Sequence, residues 1–377
     1  MNGAFSCDTN KHQRIPSNPI LAMGYSQVVQ SNGGKYRRIA CHTLSTNFRE
    51  STHIVEELFP STLAPNQVLI ENHFLGINAS DINFTNGRYG PTAKLPFPCG
   101  FECIGQVKAV GSRVRKLKPG DAAVLMKFGS FSEFMIAQED EVIKIPVLSK
   151  YVLPTIVCGA TASIALDEVG EMRSGETVLV TAAAGSTGQF AVQLAKLAGN
   201  HVIGTCSSQV KVEYLKSLGC DRVINYREED IAQVLRKEYP KGVDVVFESV
   251  GGSVFDAAAK NLAIKGRLIV VGAISGYQND TAWKKENASK PGMPLSTKLL
   301  TKSASVRGFF LNHYHSKSSI HARKLSTLIR KGLMNPGVDP TKFMGLGQVA
   351  DALDYMYERK NIGKLIVSLL PDSSSRL

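Results

Sequence analysis

The chain has 377 residues, with 44 basic against 32 acidic side chains (net +12), 43% apolar and 20% charged residues. That length allows two or three domains with sizeable cores, and the composition is that of a soluble globular protein with no uninterrupted apolar run long enough to span a bilayer. Basic residues are spread along the chain instead of gathered on one element, which argues against nucleic-acid binding; an anionic cofactor and substrate, or simply a solvated basic surface, both account for the excess.

In chain order, residues 1–35 are rich in Ser, Asn, Gly and Gln with little apolar periodicity and read as a mobile tail. Lys11, Arg14, Arg37 and Arg38 keep a mitochondrial presequence in view, but no amphipathic Arg-rich helix is evident. From residue 36 to about 156, short β-type runs alternate with Gly, Pro and Asn: Gln67–Phe74, Ile104–Val110, Ala122–Met126 and Phe131–Ile136. This spacing predicts a compact, mostly antiparallel, barrel-like domain. The seven cysteines are odd in number and scattered, and no secretory signal precedes them, so free thiols in a reducing compartment are expected.

Over residues 157–334 the texture becomes alternating strand and helix. Strands are predicted at Thr177–Thr181, His201–Cys206, Arg222–Ile224, Val243–Glu248, Arg267–Val271 and Ser305–Phe310. Helices fall between most of them, at Gln189–Ala198, Val210–Leu218, Ile231–Glu238 and Phe255–Leu262. The alternation predicts an α/β, Rossmann-type doubly wound parallel sheet. The polar stretch Ser275–Ser303 reads as a long lid loop. Residues 335–371, with a helix near Gln348–Tyr357 and a last strand at Gly363–Leu369, are expected to return to the first domain. Residues 372–377 form a short tail ending Ser375-Arg376-Leu377, a conservative variant of a peroxisomal address that an import receptor reads. A peroxisomal location is expected on that basis, with cytoplasm or mitochondrion as the alternatives.

The chemistry centres on Val178–Lys196, where a β-type run meets a small-residue turn and then a helical pattern. The fingerprint reads Ala183-x-Gly185-Ser186-Thr187-Gly188, with Ala where a first glycine usually stands. Its glycines let backbone approach a pyrophosphate, and the helix N-terminus offers N–H groups and a positive dipole end. A dinucleotide fold that prefers NADH places an acid at the end of its second strand. Here the stretch is Gly204-Thr-Cys-Ser-Ser-Gln-Val-Lys211, with no acid. Ser207, Ser208 and Lys211 can instead receive a 2′-phosphate, with Tyr226 beside the adenine or the phosphate, which predicts NADPH. The plainer reading leaves Lys211 solvated on a helix and Tyr226 at a core edge.

Gly76-Ile-Asn-Ala-Ser-Asp-Ile-Asn83, Gly219–Tyr226, Val243–Gly252 and Val306–Tyr314 resemble the medium-chain dehydrogenase/reductases, specifically their quinone-oxidoreductase branch, over about residues 36–370. The resemblance implies a GroES-like catalytic domain (36–156 and 335–371) and an NADPH-binding Rossmann domain (157–334), paired as a homodimer. It also implies reduction of a carbon–carbon double bond conjugated to a ketone, in lipid substrates such as 15-oxo-prostaglandins. An NADPH:quinone oxidoreductase and a non-catalytic NADPH-binding protein are the rival readings. Zinc members carry Gly-His-Glu, with the His as ligand; this chain has Gly100-Phe101-Glu102, and Asn78-Ala-Ser-Asp81 lacks the catalytic cysteine. No metal is therefore expected. Relatives that reduce prostaglandins use a loop tyrosine to bind the ketone, which points to Tyr277 as the catalytic donor; a surface-loop tyrosine is the equal alternative. By the same resemblance Ser249, Val250, Ile274, Tyr277, Phe309, Phe310, Leu311 and Asn361 join the cofactor site, while Asn78 and Asp81 are structural; Thr161, read as the start of a helix, can contact the nicotinamide.

Overall fold

The computed structural model describes residues 24–89, 94–279, 281–283 and 294–371. A six-stranded parallel sheet forms one body, in the spatial order Arg222–Asn225, His201–Cys206, Thr177–Val180, Val243–Glu248, Leu262–Val270, Ser305–Gly308. The order reverses direction between Thr177–Val180 and Val243–Glu248, which opens a crevice at the carboxyl ends of those strands. Period-two side-chain direction explains the two cores. Val178 and Val180 point with Phe190, Phe247 and Ile164 to one face, while Leu179 points with Ile203, Ile224 and Leu235 to the other.

The second body is a seven-strand antiparallel-dominated sheet. Gln67–Gly76 pairs with Glu102–Val110, Phe134–Gln138 and Ile366–Ser368, and the sheet continues through Ala122–Met126 to Val142–Ile145. Ile366–Ser368 reaches this sheet from the far end of the chain. A separate three-stranded sheet joins Lys35–Cys41 to Thr52–Leu58 and Phe97–Pro98.

The structure corrects several expectations. Residues 24–35 are not tail: Tyr25–Ser31 is a helix and Lys35 begins a strand. Tyr25, Val28 and Val29 lie at helical i, i+3, i+4 spacing and pack on the core around Phe59, Leu69 and Phe134, too short a stripe to stand out in the sequence. Residues 1–23 and the Ser375–Leu377 signal lie outside the described residues. The segment Ser275–Ser303 is not loop throughout, since Leu295–Lys302 is a helix whose Lys302 ammonium donates to the Leu262 carbonyl at 2.5 Å. Thr161 sits inside, not at the start of, a helical run over residues 150–169 that begins with a 3₁₀ turn and carries π turns at Thr155–Gly159 and Ala165–Val169. By composition this run could cross a membrane, yet 67% of its most apolar window is buried inside the protein, as expected of a core helix.

One buried ion pair ties the returning chain to the antiparallel body. Lys364 and Glu102 are both 0% exposed, with Nζ 2.5 Å from Oε1. The ammonium also donates to Asn78 Oδ1 at 2.8 Å and lies 3.6 Å from Cys158 Sγ. Burial opposes its charge, but Cys158, Glu102 and Asp81 outweigh that and hold its pKa above the ordinary lysine value. Lys364→Met strands the Glu102 charge and should cost about 3–5 kcal/mol in urea unfolding. Adding Glu102→Gln should recover most of that loss. A double variant no more stable than Lys364→Met would show that the pair is not the source.

Candidate functional site

A cleft of about 1030 Å³ lies between the two bodies, over the carboxyl ends of the parallel strands. The glycine turn forms its floor: Ala182, Ala184, Gly185, Ser186, Thr187 and Gly188 all line it. Ala182 adopts φ +46°, which lets the turn reverse tightly after the strand. A Cβ at Gly188 would lie 2.5 Å from the Ala182 carbonyl oxygen, so only glycine lets helix Gly188–Leu197 start this close to the strand. That helix has no acid in its first turn and no side-chain cap, leaving its positive end for an anion.

Ala183 departs from its expected place. It is fully buried, its N–H donates to the Thr205 carbonyl at 3.0 Å, and it does not line the cleft. Its methyl packs against Gly204, where a Cβ would lie 3.1 Å from it, so the missing first glycine is matched by one on the next strand. Cofactor contact in this turn falls to its neighbours Ala182 and Ala184.

At the end of the second strand, Ser207, Lys211 and Tyr226 converge on the cleft, joined by Arg359. Lys211 is only 8% exposed, and its ammonium donates to the Arg359 carbonyl at 2.7 Å. Burial lowers its pKa. A buried ammonium satisfied chiefly by a neutral carbonyl favours the arrival of an anion, as a 2′-phosphate would provide. The Arg359 guanidinium stands 5.8 Å from the centroid of the Tyr226 ring. Arg359 was missed in the sequence because it arrives from the returning chain, at φ +60° just beyond helix Val349–Tyr357. Its position two residues before the predicted Asn361 was the available signal.

Along the middle of the cleft lie Thr161, Ser249, Val250, Ile274 and Asn361. Ser249 is anchored by its N–H to Thr181 Oγ1 at 2.9 Å, and the Ile274 N–H donates to the Ser249 carbonyl at 3.1 Å. Asn361 donates to the Gly363 carbonyl at 3.1 Å, and Ser186 Oγ donates to that same oxygen at 3.0 Å. Phe309, Phe310 and Leu311 follow the edge strand and line the far end.

Tyr277 also lines the cleft, in the turn after Ile274–Gly276, and is 5% exposed. Its hydroxyl oxygen accepts from the Ala273 N–H at 2.9 Å and lies 3.4 Å from the hydroxyl of Tyr89. Tyr89 comes from the antiparallel body, and sequence reasoning did not find it; an aromatic in Gly87-Arg-Tyr89 just after the Asn78–Asn83 motif was the only cue. Burial, then the neighbouring Tyr277, push the Tyr89 phenol above its ordinary pKa.

Asn78 touches the cleft but is spent on structure. Its amide donates to Glu102 Oε1 at 2.9 Å and its carbonyl receives Lys364. Asp81 accepts the Asn78 N–H at 2.8 Å and is 2% exposed, and burial pushes its pKa up to about 7.

Residues 64–147 match the alcohol dehydrogenase GroES-like domain and residues 186–326 the zinc-binding dehydrogenase family. The chain is 48% identical to "Prostaglandin reductase-3" of Mus musculus over 348 residues, covering 90% of this chain and 91% of that protein. It is 42% identical to "Probable quinone oxidoreductase" of Leishmania amazonensis, covering 90% and 99%. Among solved structures, quinone oxidoreductase of Escherichia coli complexed with NADPH superposes with a TM-score of 0.76 at 27% identity, covering 88% of this chain and 100% of that one.

The residues here suit NADPH, whose phosphates would meet the glycine turn and the Ser207–Lys211–Arg359 corner. They do not suit zinc. Phe101 puts a ring where a ligand histidine is expected, and the donors Glu102, Cys158 and Asn78 surround the Lys364 ammonium. Among the described residues no three His, Cys, Asp or Glu side chains converge on a metal position. Lys211→Ala should weaken NADPH by about tenfold or more, the value of a charge-assisted phosphate contact, while changing NADH little. Titration of both cofactors by protein fluorescence checks this, and equal losses would overturn the assignment.

Proposed function

Because this chain belongs to the medium-chain dehydrogenase/reductase family, as an NADPH-dependent oxidoreductase, we propose that it reduces the carbon–carbon double bond of α,β-unsaturated ketones, with 15-oxo-prostaglandins and similar lipid enones as its substrates. NADPH, when bound, supplies a hydride to the β-carbon. The electron pair of the double bond then moves onto the ketone oxygen, and the chain must hold that developing charge.

The observation that carries this reading is the placement of Tyr277. Its oxygen already accepts a backbone N–H, so its own proton is left to donate. It does so in a 5%-exposed position where water competes poorly. Tyr89, with its hydroxyl 3.4 Å away, is positioned to steady that donor from the opposite body. The α-carbon proton can come from solvent, which reaches the open side of the cleft. With Lys364 already filling the donor cluster, the reaction needs no zinc. The homologous 42% identity to a probable quinone oxidoreductase supports quinones as the second substrate class. Pairing into a homodimer belongs to the same reading.

A panel of enones and quinones, followed by loss of NADPH absorbance with and without chelator, tests the proposal. Enones should be turned over faster than quinones, with no effect of chelation; preference for quinones would replace it by the second class. Tyr277→Phe should lower enone turnover roughly 10²–10³-fold, as for loss of an oxyanion donor, with NADPH affinity little changed. Full turnover in that variant would remove Tyr277 from the mechanism.

We also place the protein in peroxisomes, on the motif Ser375-Arg376-Leu377. An N-terminal fluorescent fusion should mark peroxisomes and become diffuse when the last three residues are deleted. Unchanged distribution after the deletion would make the motif a coincidence.

A further inference from the structure

The cleft is chemically divided along its length. Its charged lining residues, Lys211, Glu229, Asp230, Arg236, Asp256, Lys260 and Arg359, come from the segments after the strands His201–Cys206, Arg222–Asn225 and Val243–Glu248 and from the returning chain. The other end is walled by rings. Phe84, on helix Asp81–Thr85, stacks at 5.9 Å and 19° on Phe101, and meets Phe128 edge-on at 4.5 Å. Phe101 and Phe128 lie 5.4 Å apart, closing a three-ring cluster. Facing it, Tyr89 packs edge-on at 5.3 Å against Phe310 of the parallel body.

The position of Phe101 is forced. Gly100 before it has φ +88°, and a Cβ there would lie 2.5 Å from Phe131, so the chain turns sharply at this point. Glu102 after it is pinned inward on Lys364. The ring between these two fixed points is left at the cleft wall, half-buried. The replacement that removes a metal ligand thus also builds apolar surface. Phe128, at 39% exposure, does not line the cleft itself but packs on both rings from the outside.

We propose that Phe84 and Phe101, buttressed by Phe128, form a subsite for the aliphatic chain of the substrate, running outward from the Tyr277–Tyr89 hydroxyls, and that it selects long-chain over short-chain enones. This rests on the enone-reductase reading and deepens it. Aromatic walls gain from each methylene they cover, and the Phe84 and Phe101 rings together span several methylenes. An open outer end tolerates chains longer than the rings can cover. The hydroxyl pair at the inner end then takes the ketone, so one molecule is read at both ends.

The test uses the full chain with NADPH and vinyl ketones carrying β-methyl, β-butyl and β-octyl groups. In the wild-type protein kcat/KM should rise roughly two- to fourfold per added methylene until the rings are covered. Phe101→Ala should lower the β-octyl to β-methyl ratio about tenfold or more, and Phe101→Leu should restore part of it. A flat wild-type series, or a ratio unchanged by Phe101→Ala, overturns the subsite, as does equal loss for every chain length. Calorimetric binding of saturated alkyl ketones to the NADP⁺-loaded protein separates the two readings. Binding that tightens with chain length and depends on Phe101, with no enone reduced, would sink the reductase reading and keep the subsite. Enones reduced at one rate whatever their chain length, with flat ketone binding, would do the reverse.

Discussion

An ammonium ion cannot be taken to zero exposure without partners, and Lys364 has its partners in place: Glu102, Asn78 and the sulfur of Cys158. These residues come from a strand (Glu102), the loop after another strand (Asn78) and a helical run (Cys158), so satisfying one charge fixes where three segments meet. Gly363, the residue before it, fixes the other side. Its N–H donates to the Ala184 carbonyl at 2.8 Å, and its own carbonyl receives Ser186 and Asn361. Gly363 has φ +76°, and a Cβ there would lie 2.5 Å from the Gly337 carbonyl oxygen. Two consecutive residues of the returning chain therefore join the glycine turn of the parallel body to Asn78 and Glu102 of the antiparallel body.

The same cluster is the reason the residues at this site do not suit a metal ion. Metal ions polarise carbonyls by an open coordination position, which needs ligands that are not otherwise spent. Here the oxygen and sulfur donors already surround a covalently attached cation. In the reaction proposed above, polarisation falls to the Tyr277 and Tyr89 hydroxyls, whose burial raises the worth of each hydrogen bond they give.

The cleft's two ends differ in the physics they use. At the Lys211–Arg359 corner, a desolvated charge waits for an anion, and binding there is electrostatic and geometric. At the Phe84–Phe101 end, recognition rests on apolar area and is tolerant of detail. The cofactor suits the first end, and the lipid enone proposed above suits the second.

Much of the parallel body was legible in the sequence. His201–Cys206, Val243–Glu248 and Ile231–Glu238 fall where periodicity places them, because burial on both faces demands continuous apolar runs and amphipathic helices between them. The glycine turn and the missing acid after Cys206 were likewise local facts, since a βα turn is built from adjacent residues. The helix at Tyr25–Ser31 was not legible, being a single short stripe, and the helix read as starting at Thr161 extends back to residue 150, because its mostly buried, apolar first turns carry no helical alternation. Nor was Ala183's exclusion from the cleft, which depends on Gly204 of the neighbouring strand. Arg359, Tyr89 and the partners of Lys364 were decided only by tertiary structure. Sequence pattern reports which face of an element is buried; it does not report which distant element covers that face, and a buried charge or a hydroxyl pair exists only once two such elements meet.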